Sequence, residues 1–108
     1  MTTDSGARLV WTPGQVASGP DGVVPSGWEE QTRQVFRNLA VALETAGAGW
    51  EHVVKLTFYV VGTDELPVVR AVRNEFVNAA APPASTLVEV AGLFRPEFLI
   101  EVEAVAAV

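Results

Sequence analysis

Two acids, Glu101 and Glu103, alternate with apolar residues in the stretch Phe98-Leu99-Ile100-Glu101-Val102-Glu103. In an extended strand this spacing puts both carboxylates on one face as near neighbours, where repulsion raises the pKa of one and suits it to act as a general base. The same spacing also allows a solvated or ion-paired couple, balanced by Lys55 on a neighbouring strand. His52 is the only histidine. It lacks the HxH or HxxE-type neighbours of a ligand set, so no metal site is expected. Ser85, His52 and Asp64 make a nucleophilic triad on paper, yet no nucleophile-elbow sequence accompanies them, and a histidine at the start of a strand is the simpler reading. Cysteine is absent, which excludes disulfides, thiolate zinc sites and cysteine nucleophiles. Gly19, Gly22 and Gly27 lie too far apart to cradle a phosphate at a helix start, so no nucleotide cofactor is expected.

These residues must be held by a small set of elements. From Arg8 to Ala17 the residues favour β structure, with Pro13-Gly14 marking an interruption, which predicts a bent strand or a hairpin. Turn chemistry follows at Ser18 to Gly22 and at Pro25 to Gly27. Ser26-Gly27-Trp28-Glu29 fits a capping box, after which Val35, Phe36, Leu39, Ala40, Leu43 and Ala46 recur at helical spacing and predict a helix from Trp28 to Ala46. Gly47-Ala48-Gly49 closes it. The next strand, His52 to Val61, alternates Val54, Leu56, Phe58 and Val60 on one face with Val53, Lys55, Thr57, Tyr59 and Val61 on the other. Thr63-Asp64-Glu65-Leu66-Pro67 starts a second helix with Val69, Val72 and Phe76 as its buried stripe. Strands from Ser85 to Ala91 and from Phe98 to Val108 complete the order ββαβαββ.

Two helices cover one face of such a sheet, predicting an α+β fold. The last strand and the His52 strand are nonetheless partly apolar on both faces, which argues for self-association over scattered surface apolar residues. Composition points the same way: of 108 residues 49% are hydrophobic and only 19% charged, against about 25% charged in an average domain. The length predicts one domain spanning residues 1–108. A net charge of −6 disfavours nucleic acid and anionic membranes as partners. Met1 to Gly6 has no basic start or apolar core of a targeting signal, and no apolar run reaches the roughly 20 residues of a membrane span, so a cytoplasmic location is expected.

Five pieces in order carry a resemblance that covers nearly the whole chain, from about Arg8 to Val108. They are TPGQVA at Thr12 to Ala17, a Gln31-led helix with RNL at Arg37 to Leu39 and ETAGAG at its end, VVKLTFYV at Val53 to Val60, PPASTLVEVAGL at Pro82 to Leu93, and LIEVEAVA beyond. The chain resembles the RidA/YjgF family, also known by the older name L-PSP endoribonuclease family. The resemblance implies a chorismate-mutase-like fold, a homotrimer with sheets packed inward, and ligand clefts between subunits. It also implies cofactor-independent hydrolysis of reactive 2-imino or 2-enamino acids to keto acids and ammonia.

By this resemblance Glu101 matches the acid that positions or activates water, and Gly14 the glycine whose backbone borders the cleft. The family arginine that clamps the substrate carboxylate is replaced by Ser85, which offers a hydrogen bond and no charge. Arg70, Arg73 and Arg95 are the cations available to take its place. The family serine before the glycine is Pro13, the asparagine early in the second helix aligns with Val68 or Arg70, and no family tyrosine is found ahead of Arg8, so a shortened site is expected. Two functions follow: an imine or enamine hydrolase built on Glu101, with Gly14, Ser85, Arg70 and Arg95 around a small-molecule ligand, or a non-enzymatic metabolite-binding or regulatory trimer. Ribonuclease activity, which the older name suggests, lacks the basic surface that RNA requires.

Overall fold

The computed structural model describes residues 6–108; the readings made on Met1 to Ser5, the targeting segment and the missing tyrosine among them, fall outside these residues. The elements are β1 (Leu9–Trp11), β2 (Gln15–Val16), α1 (Trp28–Thr45), a short 3-10 turn (Trp50–His52), β3 (Val53–Val60), α2 (Leu66–Arg73), β4 (Ala84–Glu89) and β5 (Ile100–Ala107). The strands form one mixed sheet in the order β1-β5-β3-β4, with β2 also paired to β5. β3 and β4 run parallel, joined through α2, and the remaining pairs are antiparallel. The α+β class and the order ββαβαββ are as the sequence predicts.

β1 and β2 are successive parts of one bent strand along the edge of β5. Trp11 pairs with Val105 and Gln15 with Val102, so the edge strand takes four steps where β5 takes three. That extra residue is a bulge in effect. Thr12 anchors it, because its hydroxyl accepts the Ala104 amide at 2.9 Å and its own amide donates to the Ala104 carbonyl at 3.0 Å. Pro13, with no N–H to offer, sits where the ladder is interrupted.

Both helices lie against one face of the sheet. Val35, Phe36, Leu39 and Leu43 of α1 and Val69 and Val72 of α2 are buried, as are Leu56, Phe58, Val60, Ile100, Val102, Ala104 and Ala106 of the sheet. Phe36 is the centre of an aromatic group, its ring centroid 5.4 Å from those of Trp50 and Phe76 and 6.1 Å from that of Phe58. Each large side chain buried in this way contributes roughly 1.5–3 kcal/mol. Gln31 is buried and fully engaged, donating to the carbonyls of Pro25 and Glu97 and accepting the Leu99 amide. The predicted stripes of both helices are therefore the ones that face the sheet.

Three local expectations are corrected. The capping box does not form: Gly27 is the N-cap at φ 87° with no side-chain cap bond, so Ser26 lies one residue too early, and Glu29 and Glu30 bind Arg33 instead. In β3 the pairing with β5 shifts between Val53 and Lys55. The slip turns Val53 into the core, 7% exposed, and moves Val54 to the far face beside Lys55 and Thr57, the reverse of strict alternation. α2 begins at Leu66, so Asp64 lies ahead of it and Glu65 is its N-cap.

The face without helices carries Leu9, Trp11, Val54, Lys55, Thr57, Glu103 and Val105 around a shallow depression. Trp11 is 71% exposed there. All of β4 is exposed. No helix among the described residues is long and apolar enough to cross a membrane.

Candidate functional site

Glu101 lies in β5, opposite Val16 of β2 on one side and Tyr59 of β3 on the other. Its neighbours Ile100 and Val102 are buried beneath the helices, so alternation puts Glu101 and Glu103 together on the open face. The bulge at Pro13-Gly14 brings Gly14 against it. A Cβ at position 14 would overlap Oε2 of Glu101 and lie 3.0 Å from its Cδ. Only a residue without a side chain leaves the carboxylate that position.

The two acids are not equivalent. The Tyr59 hydroxyl donates to Oε1 of Glu103 at 2.8 Å. Holding its proton for that carboxylate lifts the Tyr59 phenol above its ordinary pKa, with partial burial and the charge of Glu101 adding to the effect. Lys55 donates to the hydroxyl of Thr86 and forms no ion pair with Glu103, so the expected partner of the acid pair is replaced by a tyrosine. Glu101 has no hydrogen-bond or ion-pair partner among the described residues, and its half-buried carboxylate is free to take a water or a ligand. Sequence reasoning missed Tyr59. The signal was available in its alternation with Thr57 and Lys55 on the strand next to the acids.

A second group of residues lines a cleft of about 220 Å³ between α2 and β4, formed by Phe58, Leu66, Val69, Arg70, Arg73 and Ser85 with the neighbouring strand residues. Ser85 pairs with the buried Leu56 in parallel register, which sets it on the helix side of the sheet. Arg70 and Arg73 occupy the last turn of α2, where cations also suit the negative end of the helix dipole. The structure thus gathers Ser85, Arg70 and Arg73 in one place. Arg95 does not join them: it pairs with Glu97 at 2.8 Å and lies over the Phe98 ring at 4.9 Å. Its guanidinium is held by its own loop.

The two groups lie on opposite faces of the sheet, with β3 between their strands. A single copy does not bring Glu101 and Ser85 to one ligand. His52 belongs to neither group, since its Nδ1 accepts the Gly49 amide at 2.9 Å and closes the turn before β3. The triad on paper has no counterpart in this arrangement.

The family model described as Endoribonuclease L-PSP matches residues 5–108. The chain belongs to the RidA/YjgF family. It is 36% identical over 101 residues to a RutC family protein of Synechocystis, covering 91% of this chain and 77% of that protein. It is 30% identical over 101 residues to the mouse 2-iminobutanoate/2-iminopropanoate deaminase, covering 92% and 73%. Among solved structures, E. coli TdcF with bound serine superposes with a TM-score of 0.88 at 26% identity, covering 98% of this chain and 84% of that one. Members of the RidA/YjgF family thus include an imine deaminase and a protein that binds a small amino acid. In this chain Glu101 lies against Gly14 on the open face, while Ser85 lies with Arg70 and Arg73 on the helix side.

Proposed function

We propose that this chain hydrolyses small reactive imines or enamines to carbonyl compounds and ammonia in a cleft completed by a neighbouring copy, with Glu101 as the acid that handles water. One observation carries the reading: Glu101 sits over Gly14 with an unengaged carboxylate, while Glu103 beside it is occupied by Tyr59. A carboxylate in that state accepts a proton from water as the oxygen attacks the imine carbon, and returns that proton to the nitrogen as the C=N bond becomes single. It then takes the hydroxyl proton of the resulting carbinolamine and passes it to the amine, so the C=O bond forms as the C–N bond breaks and ammonia leaves.

Support for the neighbouring copy comes from the sheet. Glu101 and Ser85 occupy opposite faces, and the open face is apolar around Leu9, Trp11, Val54 and Val105, a surface suited to burial against another copy. In the homotrimer the resemblance implies, Gly14 and Glu101 of one copy would meet Ser85 and the arginines of the next. Assaying purified protein with freshly generated 2-aminoacrylate and a panel of 2-imino acids, following keto acid and ammonia, tests the reading together with sedimentation of the oligomer. We expect turnover above buffer that falls about 10²- to 10⁴-fold in Glu101→Gln. Rates equal to buffer for every imine would leave the non-enzymatic binding trimer, which the uncharged Ser85 favours.

A further inference from the structure

The cleft between α2 and β4 holds more positive charge than one carboxylate needs. Arg70 has no hydrogen-bond or ion-pair partner among the described residues. Arg73 donates through Nε and Nη2 to Oδ1 of Asn74 at 3.1 and 3.0 Å, so a neutral amide orients its fork without cancelling its charge. The acids near α2 are otherwise placed. Glu75 is committed to Arg33 at 2.6 Å, and Asp64 and Glu65 precede the opposite end of the helix. Arg70 and Arg73 therefore line one small cleft with no acidic residue among those that form it.

We propose that this cleft binds a short dicarboxylate, one carboxylate at each arginine, and that the substrate class is imines carrying a second acidic group. Residues at i and i+3 of a helix have Cβ atoms about 5–6 Å apart, a spacing that suits the two ends of a short dicarboxylate chain. Each planar guanidinium matches a carboxylate in a bidentate pair. Phe58, Leu66 and Val69 supply an apolar floor for the connecting carbons. The cleft, of about 220 Å³, has room for a small ligand of this kind. Ser85, at the position of the family arginine, contributes a hydroxyl whose present bond to the Pro83 carbonyl is long at 3.4 Å and readily exchanged.

This inference rests on the imine reading for the reaction alone, because anion binding is measured without turnover. Calorimetric titration of the full chain at low salt with succinate, glutarate, propionate and inorganic phosphate tests it. Succinate or glutarate is expected to bind at least about tenfold more tightly than propionate or phosphate, as a second charge-assisted pair requires. Arg70→Gln and Arg73→Gln are each expected to lower succinate affinity about tenfold, with partial retention in Arg70→Lys. Melting temperatures check that the variants fold, and the wild-type ranking of the four anions decides the matter even where a variant does not. Equal affinity for propionate and succinate, phosphate binding as tightly as the dicarboxylates, or unchanged succinate binding in a folded Arg70→Gln protein would overturn it. Dicarboxylate binding without hydrolysis of any imine would sink the catalytic reading, and the substrate class with it, and leave the dicarboxylate site standing.

Discussion

The carboxylate of Glu101 occupies the space that a side chain at position 14 would fill, so the two residues share one site across the β2–β5 edge. Gly14 does not have a positive φ, and alanine is compatible with its backbone. Gly14→Ala is therefore expected to change stability by no more than about 1 kcal/mol, because the flexible Glu101 side chain can swing aside. Activity should fall at least about tenfold, since displacement from a productive geometry is costly. Paired measurements of melting temperature and keto acid release check both halves, and equal loss of both would show that the glycine serves the fold rather than the carboxylate.

Placing a cation at position 85 should alter the ligand preference. Ser85→Arg adds a third guanidinium to the cleft at an exposed strand position, where substitution is tolerated. Propionate affinity is expected to rise about tenfold or more through a charge-assisted pair. Hydrolysis of imines bearing a single carboxylate should rise with it. Titration and turnover on the same preparation give the result, and a variant with unchanged propionate affinity would place Ser85 outside the ligand's reach.

Tyr59 gives an alkaline signature. Its folded-state pKa lies above the ordinary value of about 10 because the neutral phenol donates to Glu103. The folded state holds this proton more tightly than the unfolded state. The resulting stability is present below about pH 10 and is lost as pH rises through the higher folded value. Comparison of Tyr59→Phe with the parent between pH 8 and 12, by melting temperature and phenolate absorbance, should show the parent losing its advantage only on the alkaline side; parallel profiles would rule out the bond in solution.

Glu75 supplies the acid counterpart. The hydrogen bond from Arg33 holds its carboxyl below the usual range, and the charges of Arg33 and Arg37 act in the same direction. Stability from this pair is present above the unfolded carboxylate value near 4.3 and disappears as pH falls through the lower folded value. The pair joins α1 to the segment after α2 at the surface, where salt screens it and the effect is small. Glu75→Gln should lower the melting temperature slightly at neutral pH and converge with the parent in acid. A gap that persists unchanged below pH 3 would contradict this account.

The main elements were legible in the sequence because their apolar spacing coincides with the surfaces they bury. The stripe through Val35, Phe36, Leu39 and Leu43 is such a case. Details that depend on a partner strand were not. Strict alternation assigns Val53 to the wrong face because the slip against β5 has no marker within β3 itself. The capping box reads well as a motif, yet Gly27 at positive φ takes the N-cap, one residue beyond Ser26. At the site, the resemblance singled out Glu101 and Gly14, while their contact arises from a register between β2 and β5 separated by most of the chain. The meeting of Arg70, Arg73 and Ser85 likewise depends on how α2 crosses from β3 to β4.

β5 comes after every other strand in the sequence, yet it lies between the β1–β2 edge and β3. Until Ile100 to Ala107 are available, those earlier strands have no common neighbour. During vectorial synthesis at about 5–20 residues per second, the helices can form locally while the central ladder waits. Glu101 arrives on that last strand, so its carboxylate meets Gly14 and its strand neighbour Tyr59 only once the sheet is closed.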